Sequence, residues 1–147
     1  MRLHRNSGTR GQALVELALS ITLLMLVSLG IVEFGRILMI TNMITHAARD
    51  GARAAAVEPA GNRNPSGIIL NTSAIVTQVQ TQMRNVMSPI EVSAMSVAVD
   101  QPTTNGIPMV RVTITGSIPY LFAPLLFGSG SSLAINREVT FRDEGRG

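Results

Sequence analysis

The stretch that decides the fold is residues 12–32, which read QALVELALSITLLMLVSLGIV and have Glu16 as their only charged side chain. As an α-helix with a rise of 1.5 Å per residue, this stretch would be about 31 Å long, close to the hydrocarbon thickness of a bilayer. A basic start followed by an apolar run is also typical of a secretory signal peptide. Because the run is longer than a signal-peptide core and carries a glutamate near its beginning, we favour a retained transmembrane helix.

The residues before the apolar run form a short polar leader, 1–11, that contains Arg2, Arg5 and Arg10. The whole chain has 12 basic side chains, all arginine, against 9 acidic ones, so its net charge is +3. The nine arginines beyond the leader balance the nine acidic residues. Positive charge next to a transmembrane helix favours the cytoplasmic side for that end. The leader therefore predicts a cytoplasmic N-terminus and places the rest of the chain across the membrane.

The helix is predicted to continue beyond the apolar run, because residues 33–57 contain no proline and Pro59 is the first strong helix breaker. Apolar and small side chains recur there at helical spacing. We therefore expect one helix over residues 12–57, whose second half is a stalk outside the bilayer. The periodic positions are Ile37, Ile40, Ile44, Ala48, Ala52 and Ala55.

Two features of this helix have alternative interpretations. Glu33, Gly35 and Arg36 lie where the helix should leave the bilayer, and Glu33 and Arg36 have the i,i+3 spacing of an ion pair that anchors the interface. Docking of a partner at these residues is the alternative. Ala48 and Ala52, with their neighbouring alanines, reflect either helix propensity or a small-residue stripe for close approach of a second helix.

The remainder, residues 58–147, is predicted to be a small α+β head. Residues 72–87 have an amphipathic helical pattern that ends at Ser88-Pro89. Residues 90–99, 109–118 and 133–141 have strand patterns and indicate a meander of about three antiparallel strands covered by helix on one side. The predicted organisation is thus a leader at 1–11, a transmembrane and stalk helix at 12–57, and a head.

A strongly apolar segment, residues 119–132, separates the last two strands and reads PYLFAPLLFGSGSS. It contains Tyr120, Phe122 and Phe127, three of the five aromatic residues of the chain. One interpretation is a loop folded back over the small core. The other is a patch that contacts a partner or the membrane, because monomers seldom expose so much contiguous apolar surface.

The composition argues against several classes of function. The chain has no cysteine, which excludes disulfides, thiol nucleophiles and cysteine-based zinc sites. Only 3% of its residues are aromatic, and its basic excess is small, so we expect no nucleic-acid partner. His4 and His46 are the only histidines and no catalytic motif occurs. We therefore expect a non-enzyme without cofactor, metal or small-molecule substrate.

Glu16 is the one costly residue of the apolar run, because an acidic side chain at mid-membrane costs about 2.5–3.5 kcal/mol on insertion scales. Either it is shallow enough to reach the cytoplasmic headgroups, or it needs a cation inside the bilayer. If the chain were cut after Gly11, the new amino group of Gln12 on a neighbouring subunit would be such a cation.

Three segments in order resemble the TadE-like pseudopilins of the Tad (Flp) pilus system, within the type IV pilin-like superfamily. They are RGQALVELAL from Arg10, GIVEFGR from Gly30 and HAARDGAR from His46. Together they span about the first 57 residues. One departure is Leu17, because major Flp pilins have tyrosine after the glutamate. The resemblance therefore favours a minor pilin-like component.

The resemblance implies that a prepilin peptidase of the inner membrane cuts between Gly11 and Gln12. It further implies that Glu16 pairs with the amino terminus of a neighbouring subunit. Its implied partners are other pilin-like subunits and the Tad assembly machinery, with the head in the periplasm or outside the cell. Two alternatives stay open: an envelope protein whose head binds a ligand or partner, and a pseudopilin of a secretion system.

Overall fold

The computed structural model describes residues 7–85, 87–88, 91–92, 94–122, 124, 128 and 130–146. Of the residues singled out by sequence, Arg2, Arg5 and Phe127 lie outside the described residues, and nothing is described of the side chain of Arg10. Within the described residues, a long helix carries a second helix and a four-stranded antiparallel sheet. The predicted α+β class is confirmed.

Helix α1 spans Ser7–Ala56, so it begins before the predicted start and passes through Gly11 without a break. Its two halves have different surroundings. Every residue of 11–32 is exposed except Leu29, which is half-buried, whereas Ile40, Ile44 and all but one of the alanines beyond them are buried. The change comes at Glu33, where the rest of the chain begins to pack against the helix.

The second half of α1, predicted as a stalk, is also the central element of the head. Helix α2, Ser73–Arg84, packs its buried residues Ile75, Val79 and Met83 against it. The crossing of the two helices depends on Gly51, where an added Cβ would overlap Val79 Cγ2. Small residues on this face of α1 therefore allow close packing within the chain.

The sheet consists of β1 (Ser96–Asp100), β2 (Thr103–Thr104), β3 (Ile107–Pro119) and β4 (Ser132–Arg142). All three other strands pair with β3, which is central. A two-residue turn at Asn105-Gly106, with φ of +52° and +79°, connects β2 to β3 as expected for a type I′ hairpin. The strands predicted at 109–118 and 133–141 are confirmed.

One face of the sheet packs against the helices. The alternating residues Val110, Val112, Ile114 and Ile118 of β3 are fully buried. Gly116 lies on the same face, between Ile114 and Ile118. A side chain does not fit there, because an added Cβ would lie 2.8 Å from the carbonyl oxygen of Ala94. The opposite face carries mostly polar residues, so only one side of the sheet belongs to the core.

The strand predicted at residues 90–99 is wrong in its first half. Strand β1 begins at Ser96, and Glu91 and Val92 are helical. The physical reason is a reciprocal pair of hydrogen bonds: Ser88 N–H donates to Glu91 Oε2 at 2.8 Å, and Glu91 N–H donates to Ser88 Oγ at 3.3 Å. This is the arrangement of a capping box, which starts a helical turn.

A buried ion pair closes the end of the head that is furthest from the apolar half of α1. Arg63 Nη1 lies 2.8 Å from Asp143 Oδ2, and the two side chains are 2% and 0% exposed. Arg63 also donates to three backbone carbonyls, those of Glu58 at 2.9 Å, Gly67 at 2.8 Å and Ala55 at 3.3 Å. The loop after α1 is thereby fixed to the end of β4, and we call this group the distal clamp.

Candidate functional site

The first candidate site is the exposed first half of α1. Gly11 and Gln12 are helical and exposed, and an added Cβ at Gly11 would contact nothing within 4 Å. Glu16 lies one turn further along and is exposed as well. Within the described part of the chain, no hydrogen bond or ion pair involves the Glu16 carboxylate. These three residues are thus available to other molecules and have no role in packing the head.

The hydroxyl groups in the same half of the helix differ from Glu16 in this respect. Thr22 Oγ1 donates to the carbonyl oxygen of Ala18 at 2.8 Å, and Ser28 Oγ donates to that of Leu24 at 2.8 Å. Both hydroxyls are therefore satisfied inside the helix, as is usual for Ser and Thr in apolar helices. Glu16, in contrast, is exposed and has no hydrogen-bond or ion-pair partner among the described residues.

The second candidate site lies at the base of the head, where α1 leaves the apolar run. Glu33 is 8% exposed, and its Oε2 accepts hydrogen bonds from the backbone N–H groups of Leu121 and Phe122, at 2.9 and 3.1 Å. Its other oxygen, Oε1, accepts one from Arg36 Nη2 at 3.0 Å. Glu33 therefore holds the start of the apolar loop against the helix.

Arg36 connects Glu33 to two further parts of the head. Its Nη1 donates to Glu91 Oε1 at 2.9 Å, and its Nη2 also donates to the backbone carbonyl of Pro119 at the end of β3. One guanidinium thus joins the helix, the capping turn before β1 and the last residue of β3. We call the group of Glu33, Arg36, Glu91 and the backbone of 119–122 the basal junction.

The Glu91 carboxylate is held in its charged form. Burial raises its pKa, but hydrogen bonds from Ser88 and the Arg36 guanidinium outweigh this effect, so the pKa lies below its ordinary value of 4.5. A carboxyl group whose pKa is lower in the folded state than in the unfolded state stabilises the fold at pH values above its unfolded pKa. That contribution is lost as the pH falls below 4.5 and through the folded pKa.

We expect Glu91→Gln to lower the free energy of unfolding at pH 7 by about 1.5–3 kcal/mol, the range for hydrogen bonds to charged groups. The difference from wild type should shrink as the pH falls below 4.5, because Glu91 then takes up a proton in the unfolded chain while the folded state still holds it charged. Urea titrations of the detergent-solubilised full chain at pH 7 and pH 3.5 would measure both values. A difference that stays constant over this pH range would contradict the assigned role of the carboxylate.

The structure places the other predicted residues as follows. The ion pair predicted between Glu33 and Arg36 is present, although both side chains bond to the head and are largely buried. Gly35 is exposed and an added Cβ there would meet nothing within 4 Å. Ala48 and Ala52 are 0% exposed, so the head of the same chain covers them. A neighbouring helix cannot pack on these two alanines while the head is folded.

Tyr120 and Phe122 are half-buried beside the basal junction, and Leu121 between them is 57% exposed. The N–H of Tyr120 donates to the carbonyl oxygen of Ser131 at 3.2 Å, which closes the two ends of the apolar loop. The loop therefore begins at the end of the sheet that lies next to the apolar half of α1.

Sequence reasoning did not identify Glu91 or the Pro119 carbonyl as members of this site. The S-x-x-E spacing of Ser88 and Glu91 is a signature of a helix start and was present in the sequence. The contact of Arg36 with residues more than fifty positions away had no signal in the sequence, because a long-range polar contact leaves no periodicity.

Residues 11–53 match the sequence model of the family described as "TadE-like protein". This segment of the chain is TadE-like. The resemblance seen in the three sequence segments is thereby confirmed for the part of α1 that runs from Gly11 through the basal junction to Arg53. A search of curated proteins and a search of solved structures each returned no significant match.

The TadE-like segment contains both Glu16 and the helical part of the basal junction. Its apolar half is long and apolar enough to cross a membrane, with a mean hydropathy of 2.3 and none of that window buried by the head. Among the described residues, no group of three or more His, Cys, Asp or Glu side chains could hold a metal ion. The side chains that the two sites present are charged or apolar.

Proposed function

We propose that the chain is a minor pilin-like subunit of a Tad-type pilus that assembles through the first half of α1 and has no catalytic activity. The observation that carries this proposal is the exposed apolar surface of residues 11–32, which lies inside the TadE-like segment and has one unpaired charge, Glu16. Such a surface needs lipid before assembly and the helices of neighbouring subunits after it.

In this proposal a prepilin peptidase removes residues 1–11, and the new amino group of Gln12 becomes the partner of Glu16 on a neighbouring subunit. The accessibility of Gly11 and Gln12 supports cleavage, since no contact with the head covers them. The arginines of the leader support a cytoplasmic N-terminus, with the head in the periplasm or outside the cell. The partners are the inner membrane, the peptidase and other pilin-like subunits.

We expect the protein from membranes to begin at Gln12. Gly11→Phe should retain residues 1–11 and migrate more slowly, because a bulky side chain does not fit at the cleavage position of the peptidase. The change should leave the fold intact, since the space around Gly11 is empty. Intact mass and N-terminal sequencing of both proteins would measure the result.

Gly30→Phe is the matched control, because it alters another glycine of the same helix with empty space around it. This variant should begin at Gln12 like wild type. A wild-type protein that begins at Met1, or a Gly11→Phe variant that is cut normally, would contradict the processing step.

A further inference from the structure

The head has an apolar contact surface at its base that the pilin role does not account for. This surface is the turn of Tyr120, Leu121 and Phe122, which we call the basal turn. Leu121 is 57% exposed. Three charged residues, Glu33, Arg36 and Glu91, lie close to it. These three charged groups bond to one another and to the backbone.

The height of the basal turn along α1 is fixed by hydrogen bonds. Both Leu121 N–H and Phe122 N–H donate to Glu33 Oε2, at 2.9 and 3.1 Å. Glu33 is the residue that directly follows the apolar run. The backbone of the basal turn therefore lies within hydrogen-bonding distance of the point where α1 leaves the hydrocarbon.

The head also reaches below Glu33. Leu29 is half-buried, whereas all other residues of 11–32 are exposed. It lies four residues before Glu33, on the same face of α1 and about 6 Å further into the apolar run. The last apolar turn of the helix is thus partly covered on the face of Glu33, at a depth where the surrounding medium is lipid if residues 12–32 span the bilayer.

We propose that the basal turn inserts into the bilayer leaflet from which α1 emerges, at the boundary between headgroups and acyl chains. The side chains fit this occupant: Leu121 supplies exposed apolar surface, Tyr120 is of the type enriched at membrane interfaces, and Phe122 adds a partly exposed apolar ring. Together with α1, the turn gives the head two points of contact with the bilayer, which fixes its tilt on the membrane. This inference requires the membrane-spanning helix but not pilus assembly.

The chain contains no tryptophan, so a single introduced tryptophan reports its own surroundings. Leu121→Trp in the full chain is reconstituted into vesicles of phosphatidylcholine and phosphatidylglycerol, with bromine placed at shallow or deep acyl positions. We expect strong quenching of the tryptophan by shallow bromines, weaker quenching by deep ones, and at least a several-fold lower sensitivity to aqueous iodide than in the control. Leu24→Trp, in the middle of the apolar run, should be quenched best by deep bromines.

Ile107→Trp is the matched control, because Ile107 is also an exposed apolar residue, at 45% exposure, and lies at the other end of β3. It stands about 40 Å from Pro119 along the strand, so it should be quenched by iodide and not by brominated lipid. If Leu121→Trp behaves like Ile107→Trp, the proposal is wrong. Protection from iodide without quenching by brominated lipid would show that a second copy covers the turn, which also overturns it.

The folded state of each variant is checked by amide hydrogen exchange of β3 and β4. Should Leu121→Trp fail this check, Phe122→Trp carries the same measurement, since it exchanges one half-buried aromatic residue for another. The expected quenching pattern for Phe122→Trp is the same, and quenching by iodide alone would again overturn the proposal.

Discussion

Asp143→Ala is expected to lower the free energy of unfolding by about 3–5 kcal/mol, the usual cost of removing one partner of a buried ion pair. The change leaves the Arg63 guanidinium, whose side chain is 2% exposed, without its counter-charge. Because small domains are stable by only about 5–15 kcal/mol, the variant head should be near the limit of folding. A urea titration of the detergent-solubilised full chain, followed by fluorescence of its single tyrosine, Tyr120, would measure the loss.

The chain offers a matched control in a second Arg–acid pair. Arg111 Nε lies 3.0 Å from Glu138 Oε1 on the polar face of the sheet, where the side chains are 38% and 50% exposed. Glu138→Ala should therefore cost less than about 1 kcal/mol, as exposed ion pairs do. Equal losses for Asp143→Ala and Glu138→Ala would contradict the assigned role of the distal clamp.

A double variant tests why the pair is buried at all. Replacing a buried ion pair by apolar residues is often neutral or stabilising. Arg63, however, also donates to the carbonyls of Glu58, Gly67 and Ala55, and apolar replacement would remove these three hydrogen bonds, although the Ala55 carbonyl would keep the Glu58 N–H. We therefore expect the double variant Arg63→Met, Asp143→Leu to be less stable than wild type. The guanidinium neutralises Asp143 and also binds the backbone of the loop after α1.

The positions where sequence reasoning succeeded are those with a periodic apolar pattern. Alternation along residues 109–118 and three- or four-residue spacing from Ile40 to Ala55 each specify which side chains are buried, and the structure buries them. The pattern also predicted the long helix, since no proline interrupts it before Pro59.

The same pattern could not show what covers the buried face of α1. Ile44 or Ala48 would be buried equally well by a neighbouring subunit or by the head of the same chain, because helix periodicity identifies a buried side and not its partner. For this reason the sequence did not show that the head of the same chain covers the second half of α1. The basal junction and the distal clamp depend on contacts between residues that are far apart in the sequence. Single polar residues form no periodic pattern, so the sequence does not indicate these contacts.

The structure assigns the two halves of α1 to different interactions. From Glu33 onward, the small residues on the buried face are occupied by α2 and the sheet. Before Glu33, the apolar surface is open, apart from partial covering of Leu29. Packing of the helix against neighbouring subunits can therefore use the whole surface of residues 11–32, and beyond Glu33 only the exposed side that carries Phe34, Leu38 and Met39. Glu16 is the one charged side chain of the fully open part.

Glu16→Ala should accordingly be inserted and cut like wild type and yet fail to assemble. Insertion should not suffer, since alanine removes a charge from the apolar run. Folding of the head should not change either, because no described residue contacts the Glu16 carboxylate through a hydrogen bond or ion pair. A lost charge pair in an interior of low dielectric reduces association by well over a factor of ten. We expect the amount of subunit in the sheared filament fraction to fall at least about tenfold.

Thr22→Ala is the matched control, because it removes a polar side chain from the same helix whose hydroxyl is already satisfied by the Ala18 carbonyl. It should assemble normally. Glu16→Asp keeps the charge on a shorter side chain and should retain part of the assembly, while Glu16→Gln, which keeps the length without the charge, should fail like alanine. Normal assembly of Glu16→Gln would show that the charge is not required.

Exchange of residues 1–32 for an unrelated transmembrane anchor separates the pilin role from that of an anchored binding protein. The head should still fold in this chimera, because its contacts with α1 begin at Glu33 apart from the partial covering of Leu29. If α1 packs laterally through Glu16 and its apolar surface, the chimera loses assembly to the same extent as Glu16→Ala. A chimera that retains full activity would mean that the head alone carries the function and that residues 11–32 serve as an anchor.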